Sequence, residues 1–489
     1  LPEEINLSEA YYVHVDLNDR SNDTFKVTVL LDELSADNDI FQFAATIPGT
    51  YNISDVGRFV INLRAYDEND RLLQTTHISA NQWQFEDPVA VRKITYQVAE
   101  TFDTPVNENQ IYPMGGTSIE EDHVLINPPI VFGYVQGLKD WDYYFSADYP
   151  SNWTIGTALP QTSLDTFHAP DFDYFADSPI LIADLTHSRI NIGDTEVNVH
   201  VYSSGQQITS SLVLGDIEQI VLDAQAFLGK LPTEHYDFLF HFGDVHAGAL
   251  EHSYSSLYVI IDGLYSSDYS RAIKSIVAHE FFHVVTPLNI HSEIIADFNF
   301  AVPTPSQHLW LYEGVTEWAS DFMQYRNKSM TLEQLLRQLS GKLIANDKFD
   351  PNFSLTDIST ESYTASGGPQ FGNIYHRGAM IACLLDIRLL ELSDGTKGLQ
   401  SLIKELISIY GPDKAFSEDG FFEELITLTD PAITDFVDDY IKGTEPLPIS
   451  AYFSKIGIDY DENENHGFVK MSSPSDEQIR LFDAWNGDN

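Results

Sequence analysis

Two histidines separated by three residues, with a glutamate after the first, form the strongest chemical signal in the sequence: His279-Glu280-Phe281-Phe282-His283. Positions i and i+4 of a helix lie on one face, so the two imidazoles could take adjacent corners of one zinc tetrahedron. Zinc lowers the pKa of a bound water towards ~7, and Glu280 could then remove its proton as a general base. The alternative is two surface histidines on an amphipathic helix, which the apolar neighbours Phe281 and Phe282 disfavour.

A catalytic zinc site needs a third protein ligand and keeps its fourth position open. Residues 309–318 read as a second buried helix that carries two acids, and Glu313 is the candidate third ligand. Glu317, one turn later, could accept the free N–H of a ligating histidine. His291 and His308 are rival ligands with less weight, because each lies in an expected loop or helix start.

The HExxH motif and the later segment LWLYEGVT together resemble the gluzincin metallopeptidases, and more closely peptidase family M61, the glycyl aminopeptidase family. Two further segments agree in order and spacing. Residues 248–252, GALEH, resemble the family's G-x-L-E-H segment and the exopeptidase motif of the related M1 aminopeptidases. Residues 374–379 resemble the segment that holds a transition-state tyrosine, whereas residues 284–289 depart from the W-N-V-K-type stretch common in the family.

The resemblance implies roles for further residues. Glu251 would pair with the α-ammonium of the substrate, which makes the enzyme an exopeptidase, and the backbone of Gly248 and Ala249 would line the same subsite. Tyr375 would donate its hydroxyl to the oxyanion that forms when water attacks the carbonyl. The implied substrates are peptides that begin with small residues such as Gly or Ala, and the implied cofactor is one catalytic Zn²⁺.

Composition restricts the partners. With 74 acidic and 26 basic residues the formal net charge is −48, which repels phosphate backbones and anionic lipids, so no nucleic-acid partner is expected. This acidity could attract amines and metals, but a surface adapted to a salty environment is favoured. No apolar run could span a membrane, no signal segment is visible, and a periplasmic, cell-surface or secreted location is expected. The single cysteine, Cys383, reads as a buried thiol.

The 489 residues predict a multidomain α+β protein. Short alternating strands predict an N-terminal β-sandwich over residues 1–200, followed by a thermolysin-like zinc domain over 201–330 with strands at 238–242 and 258–261. A helical domain is expected over 331–445, with helices that include 332–344, 375–392 and 421–440. Residues 446–489 are expected to form an extended appendage, too short for the complete PDZ domain that family members usually carry.

These observations favour a zinc-dependent aminopeptidase that hydrolyses N-terminal residues from peptides. Three alternatives stay open. A zinc endopeptidase would not use Glu251 as an anchor. A catalytically silent peptide-binding protein would need neither Glu280 nor Tyr375. A structural metal site in an adhesive protein would be closed, whereas three protein ligands beside a base suit an open site.

Overall fold

The computed structural model describes residues 8–163 and 165–487, which form a multidomain α+β protein. Strands dominate as far as Ser203, and helices dominate from Ser267 onward. The β-rich N-terminal region and the helical C-terminal region predicted from the sequence are confirmed.

An eight-stranded sheet is the largest layer of the N-terminal region. Its strands lie in the order Gln161–Ser163, Thr166–Ala169, Asp142–Asp148, Ala10–Asp16, Thr24–Leu31, Lys93–Ala99, Val60–Tyr66 and Leu72–Leu73. Neighbours are antiparallel except Ala10–Asp16 and Asp142–Asp148, which run parallel. Along these strands buried side chains alternate with more exposed ones, so the apolar residues collect on one face.

Two four-stranded sheets complete this region. One has the order Thr154–Gly156, Ile180–Ala183, His123–Ile126, Ser118–Ile119, and the other Tyr134–Val135, Ile40–Gln42, Gln82–Phe85, Thr75–Ser79. Apolar side chains from all three sheets belong to one core. The ring of Tyr96, from the eight-stranded sheet, lies 5.2 Å from that of Phe43 and 6.1 Å from that of Phe41.

A five-stranded mixed sheet comes next in the chain. Its order is Thr186–Ile192, Thr195–Ser203, His235–Gly243, Ser255–Ile261, Gly248–Glu251. The three middle strands are parallel, and each outer strand is antiparallel to its neighbour. The predicted strands at 238–242 and 258–261 lie within two of the parallel strands. We call Gly248–Glu251 the edge strand, because it ends the sheet with Glu251 as its last residue.

Helices make up most of the remaining chain. The α-helices are Pro128–Val131, Phe172–Ala176, Ser210–Leu228, Ser267–Phe282, Glu293–Ala296, Thr316–Arg326, Leu332–Asn346, Leu355–Thr360, Asn373–Leu392, Leu399–Ile409, Phe421–Leu428, Thr434–Phe436, Ile449–Lys455 and Asp476–Asn486. Turns of π-helix cover Trp310–Val315 and Val437–Ile441. Short 3₁₀-helices cover Val56–Phe59, Pro88–Ala90, Pro113–Gly115, Gly368–Gln370 and Pro431–Ile433.

Two C-terminal expectations are wrong. The helix expected over 421–440 ends at Leu428, and a new turn begins at Pro431, which lacks the N–H that a continuous helix would need. Residues 446–487 are not extended: two helices flank the hairpin of Ile458–Asp461 with Gly467–Lys470. Trp485 is fully buried here, which anchors the segment in the main helical core. The apolar residues of this segment are spaced too irregularly to predict that packing.

Among the described residues, no helix is both long enough and apolar enough to cross a membrane.

Candidate metal centre and active site

The motif helix, Ser267–Phe282, carries His279 and Glu280 and ends just before His283. Ser266 begins it, because its hydroxyl accepts a hydrogen bond from a backbone N–H of the first turn. The helix ends within the motif itself. His283 nevertheless keeps helical backbone angles, φ −61° and ψ −13°, so the two histidines still lie on one face.

His279, His283 and Glu313 form a compact, buried cluster. The Nε2 atoms of the two histidines lie 3.3 Å apart. Glu313 Oε2 lies 3.3 Å from His279 Nε2 and 3.5 Å from His283 Nε2. His279 is 9% exposed and the other two residues are 2% exposed. Two imidazole nitrogens and one carboxylate oxygen that converge in this way are the donor set of a catalytic zinc site.

The outer nitrogen of each imidazole is also held. His279 Nδ1 lies 2.7 Å from Glu317 Oε2, and His283 Nδ1 lies 2.8 Å from the carbonyl oxygen of Thr286. Both partners accept hydrogen bonds, so each Nδ1 donates its proton to them, and the neutral imidazole then has at Nε2 the lone pair that a metal ion needs. The residues therefore fit a divalent metal ion that prefers nitrogen and carboxylate ligands, as zinc does.

Glu313 lies in the π-helical turn Trp310–Val315, which leads directly into the next α-helix. The sequence predicted a buried helix over residues 309–318, so the wide turn is a difference in local geometry; such turns are frequent at functional sites. Gly314 lets this turn pack against Gly378, since a Cβ on Gly314 would lie 2.8 Å from the Cα of Gly378. The absence of a side chain there brings two helices together beside the cluster.

A buried lysine balances the negative charge of two carboxylates near His279, those of Glu317 and Asp321. Lys342 is 7% exposed, forms an ion pair with Glu317 and lies 3.2 Å from Asp321 Oδ2. Burial acts to raise the pKa of Glu317, but Lys342 and His279 outweigh it and hold that pKa well below its usual range. Glu317 therefore stays ionised and keeps accepting the hydrogen bond from His279.

Glu280 lies beside the metal-ligand cluster. One of its carboxylate oxygens, one of Glu251 and a nitrogen of His283 lie within 4.8 Å of one another. Burial raises the pKa of Glu280 to about 7; His279 opposes this effect and Glu313 adds to it. Burial, followed by Glu313 and Glu280, raises the pKa of Glu251 well above its usual range. Three carboxylates this close favour the binding of a cation between them.

The edge strand places Gly248, Ala249 and Glu251 next to this group of acids. The hydroxyl of Tyr112 donates to the carbonyl oxygen of Ala249 at 3.1 Å. Gly49 has φ +74°, and a Cβ built on it would lie 3.0 Å from Glu251 Oε1. The N-terminal region therefore contacts both the backbone and the carboxylate of the edge strand.

Tyr375 lies in the first turn of the helix Asn373–Leu392, and its ring is 5.5 Å from that of His279. Burial, followed by the charge of Glu313, raises the pKa of Tyr375 well above its usual range. The hydroxyl therefore stays protonated and is available as a hydrogen-bond donor at the site. The structure thus brings the preferred metal ligands, the base, the amine anchor and the tyrosine predicted from the sequence to one place.

The rival ligands lie outside the cluster. His308 Nε2 lies 2.7 Å from the carbonyl oxygen of Glu418, and His291 Nδ1 lies 2.7 Å from that of Pro287. Each contact is to a backbone oxygen, so both histidines have a structural role here. Cys383 is buried, as predicted.

Sequence reasoning missed two residues of the site. The hydroxyl of Tyr51 donates to Glu313 Oε1 at 3.3 Å, across 262 positions of sequence. Lys342 belongs to a helix, Leu332–Asn346, whose pattern marks it only as an amphipathic element. No spacing or motif could have identified either residue, because both contacts arise where distant segments pack together.

Family models match two parts of the chain. Residues 12–184 match the peptidase M61 N-terminal domain, and residues 272–381 match the M61 glycyl aminopeptidase. Together these parts make up more than half of the chain. The second part contains His279, Glu280, His283, Glu313 and Tyr375, whereas Glu251 lies between the two. No curated protein sequence matches the chain closely enough to add to this comparison.

Solved structures with a similar fold include two peptidase-related proteins. An aminopeptidase N family protein from Idiomarina loihiensis has a TM-score of 0.80 at 22% identity, over 92% of this chain and 79% of the other. An M1 zinc metallopeptidase from Deinococcus radiodurans has a TM-score of 0.53 at 12% identity, over 90% of this chain and 94% of the other. At these identities the similarity establishes an aminopeptidase-like fold.

Proposed function

We propose that this chain, which belongs to peptidase family M61 and is a metallopeptidase, acts as a zinc-dependent aminopeptidase on peptides. The observation that carries the proposal is the position of Glu251, whose carboxylate lies within 4.8 Å of donor atoms of Glu280 and His283. A half-buried carboxylate beside other acids is costly unless a cation pairs with it, and the cation that a peptide offers at its end is the α-ammonium. An anchor so close to the general base leaves room for one residue before the scissile bond.

His279, His283 and Glu313 would hold the metal ion, with Glu317 and Lys342 keeping His279 in position. When bound, zinc supplies Lewis acidity, which lowers the pKa of water and polarises a carbonyl group. We infer zinc because two imidazoles and one carboxylate are its usual ligands at catalytic sites.

Glu280 is the proposed general base. It accepts a proton from the attacking water while the water oxygen bonds to the scissile carbonyl carbon, and it passes this proton to the leaving nitrogen as the C–N bond breaks. Its burial suits this role, because it raises the pKa of the carboxyl group to about 7, where a carboxylate can take up and release a proton near neutral pH.

Tyr375 is proposed to donate its hydroxyl to the carbonyl oxygen as that oxygen gains negative charge. The close packing of Gly314 on Gly378 holds the helix of Tyr375 against the turn that carries Glu313. A ligand and an oxyanion donor are therefore fixed relative to each other, which favours a preorganised transition-state site.

Glu251 would bind the α-ammonium of the substrate, with the backbone of Gly248 and Ala249 at the same subsite. Peptides that begin with Gly or Ala are the proposed first substrates, by resemblance to the glycyl aminopeptidases. We also propose that residues 201–330 form a thermolysin-like domain between an N-terminal β-sandwich, 1–200, and a helical domain, 331–445, which the extension 446–489 follows. A periplasmic, cell-surface or secreted location is proposed with them.

The alternatives explain fewer of the contacts. An endopeptidase would have no use for the Glu251 carboxylate at a place where a peptide would have to continue. A silent binding protein would not need Glu280 beside the metal ligands, and a structural metal site would not need a base or an oxyanion donor.

The test is hydrolysis of Gly- and Ala-initiated peptides, each with and without an N-terminal acetyl group, before chelation, after chelation and after addition of zinc. We expect cleavage of the free peptides only, lost on chelation and restored by zinc. Equal cleavage of acetylated peptides would identify an endopeptidase. No cleavage by protein that contains one equivalent of zinc would favour a peptide-binding protein.

A further inference from the structure

A cavity of about 370 Å³ opens beside Glu251. Its lining includes Glu251 and His283, whereas Glu280 and Tyr375 lie outside it. In the proposed reaction the leaving amine receives its proton from Glu280. Because the cavity is lined by Glu251, the proposed amine anchor, and not by Glu280, we place it on the N-terminal side of the scissile bond. The N-terminal residue of a substrate would lie there.

The charged residues that line the cavity are acidic. Among the described residues no lysine or arginine lines it, and the acids besides Glu251 are Asp171, Asp173, Asp177 and Asp413. Lys139 already compensates Asp173, with 2.9 Å between Nζ and Oδ2. Asp177 accepts hydrogen bonds from His252 Nδ1 at 2.9 Å and from the Ser253 backbone N–H at 2.7 Å. Neither donor brings the permanent charge of a lysine or arginine.

His252 provides an independent sign of a missing ligand. It follows Glu251 in sequence, lines the cavity and is 7% exposed. Its Nε2 has no hydrogen-bond partner within the described part of the chain. In the neutral tautomer that donates its Nδ1 proton to Asp177, Nε2 carries a lone pair, and the partner it lacks is a hydrogen-bond donor. A buried acceptor without a partner is costly, and a ligand with N–H groups would relieve that cost.

Aromatic side chains form another part of the wall. The rings of Tyr174 and Tyr254 lie 5.4 Å apart, and both residues line the cavity. Burial, followed by the charges of Asp413 and Asp177, raises the pKa of the Tyr254 hydroxyl. Tyr254 therefore lies in the field of both carboxylates. Aromatic faces beside carboxylates suit a long alkyl chain that ends in a cation.

We propose that this cavity receives the side chain of the N-terminal residue and that, among long side chains, it selects those of lysine and arginine. Asp177 is the specificity-determining residue. This inference rests on the proposed aminopeptidase function. Gly and Ala peptides can still bind through Glu251, because that contact is made by the α-ammonium and does not involve the side chain.

The test is a binding measurement that does not depend on catalysis. Three peptides that differ only in their first residue, lysine, norleucine or glutamate, are titrated by calorimetry into zinc-loaded Glu280→Gln protein. Norleucine has the alkyl chain of lysine without the ammonium, so the ratio of the two affinities isolates the charge. We expect lysine to bind about 10-fold more tightly than norleucine and glutamate to bind most weakly, as a charge-assisted hydrogen bond implies.

Adding Asp177→Asn should reduce the lysine-to-norleucine ratio to about 1, because the amide can still accept from His252 but carries no charge. Asp435→Asn is the matched control: it removes one negative charge from an exposed position that does not line the cavity, and it should leave the ratio unchanged. Added salt should lower the lysine affinity more than the norleucine affinity, which tests the charge without any substitution at Asp177.

Equal affinities for lysine and norleucine, or a ratio that survives Asp177→Asn, would overturn the inference. The proposed function is judged separately by wild-type hydrolysis of free and acetylated Gly peptides. Selective lysine binding without any hydrolysis would support the cavity and reject the aminopeptidase, whereas hydrolysis without lysine selectivity would do the reverse.

Discussion

The metal-ligand cluster and the cavity beside Glu251 are assembled in different ways. His279 and Glu313 are only 34 residues apart, and helical spacing aligns the two histidines. Around the cavity and the edge strand, the contacts join distant parts of the sequence. Tyr112 forms a hydrogen bond with Ala249 across 137 residues, and Asp177 forms one with His252 across 75. The metal-ligand cluster therefore depends on local sequence, whereas the proposed recognition of the N-terminal residue depends on how the N-terminal region packs against the edge strand.

Substitution of the base should have the largest effect. Glu280→Gln removes the group that carries the proton but none of the three ligands, so kcat should fall about 10³-fold while the metal content stays near one equivalent. Turnover of a free Gly peptide and elemental analysis of the same sample measure both quantities. Loss of metal together with activity would show instead that Glu280 is a ligand.

Substitution of the amine anchor should have the next largest effect. Glu251→Gln keeps the size of the side chain but removes its charge, so kcat/KM for free peptides should fall about 100-fold. Metal content should be unaffected. The discriminating measurement is the ratio of kcat/KM for the free and acetylated forms of one peptide. If Glu251→Gln leaves this ratio unaltered, Glu251 does not bind the amine.

The lysine behind His279 should control metal affinity. Lys342→Met leaves Glu317 and Asp321 without their cation, and we expect a dissociation constant for zinc that rises about 10- to 100-fold, as for other residues that orient metal ligands. Lys342→Arg should restore part of the affinity, and Lys348→Met, an exposed position near the end of the same helix, is the control. Competition with a chelator measures affinity. An unchanged constant for Lys342→Met would limit this lysine to a role in folding.

The contact from the N-terminal region to the ligand should have the smallest effect. Tyr51→Phe removes one hydroxyl that donates to Glu313, and one hydrogen bond of this kind corresponds to an about 5-fold weaker zinc affinity. The same competition assay applies. A loss as large as that expected for Lys342→Met would mean that the N-terminal region fixes the ligands as strongly as the helices do, and the contrast between the two regions would fail.

Much of the proposed metal centre could be predicted from the sequence because the information that defines it is local. HExxH on a helix fixes two side chains on one face, and a Trp- and Leu-rich segment marks the buried turn that carries Glu313. The strand and helix patterns around them also gave the order of the β-rich and helical regions. The domain boundaries proposed from the sequence stay predictions.

The sequence could not predict contacts that depend on packing. Tyr51 and Lys342 have ordinary local surroundings, and only the folded chain brings them to Glu313 and Glu317. The π-helical turn is a similar case, since it packs through Gly314 against Gly378 of another helix, a contact that no local spacing predicts. Trp485 likewise gains its place from a core formed mostly by earlier segments.

The central claim is that one zinc ion binds between His279, His283 and Glu313. Crystals of the zinc-loaded protein, with diffraction recorded on both sides of the zinc absorption edge, test it most directly. We predict a single anomalous peak bonded to those three side chains, with Glu251 and Glu280 near it but not bonded. Two results would contradict the account. One is a peak bonded instead to Glu251, Glu280 and His283, and the other is no peak between the three ligands in protein that contains one equivalent of zinc.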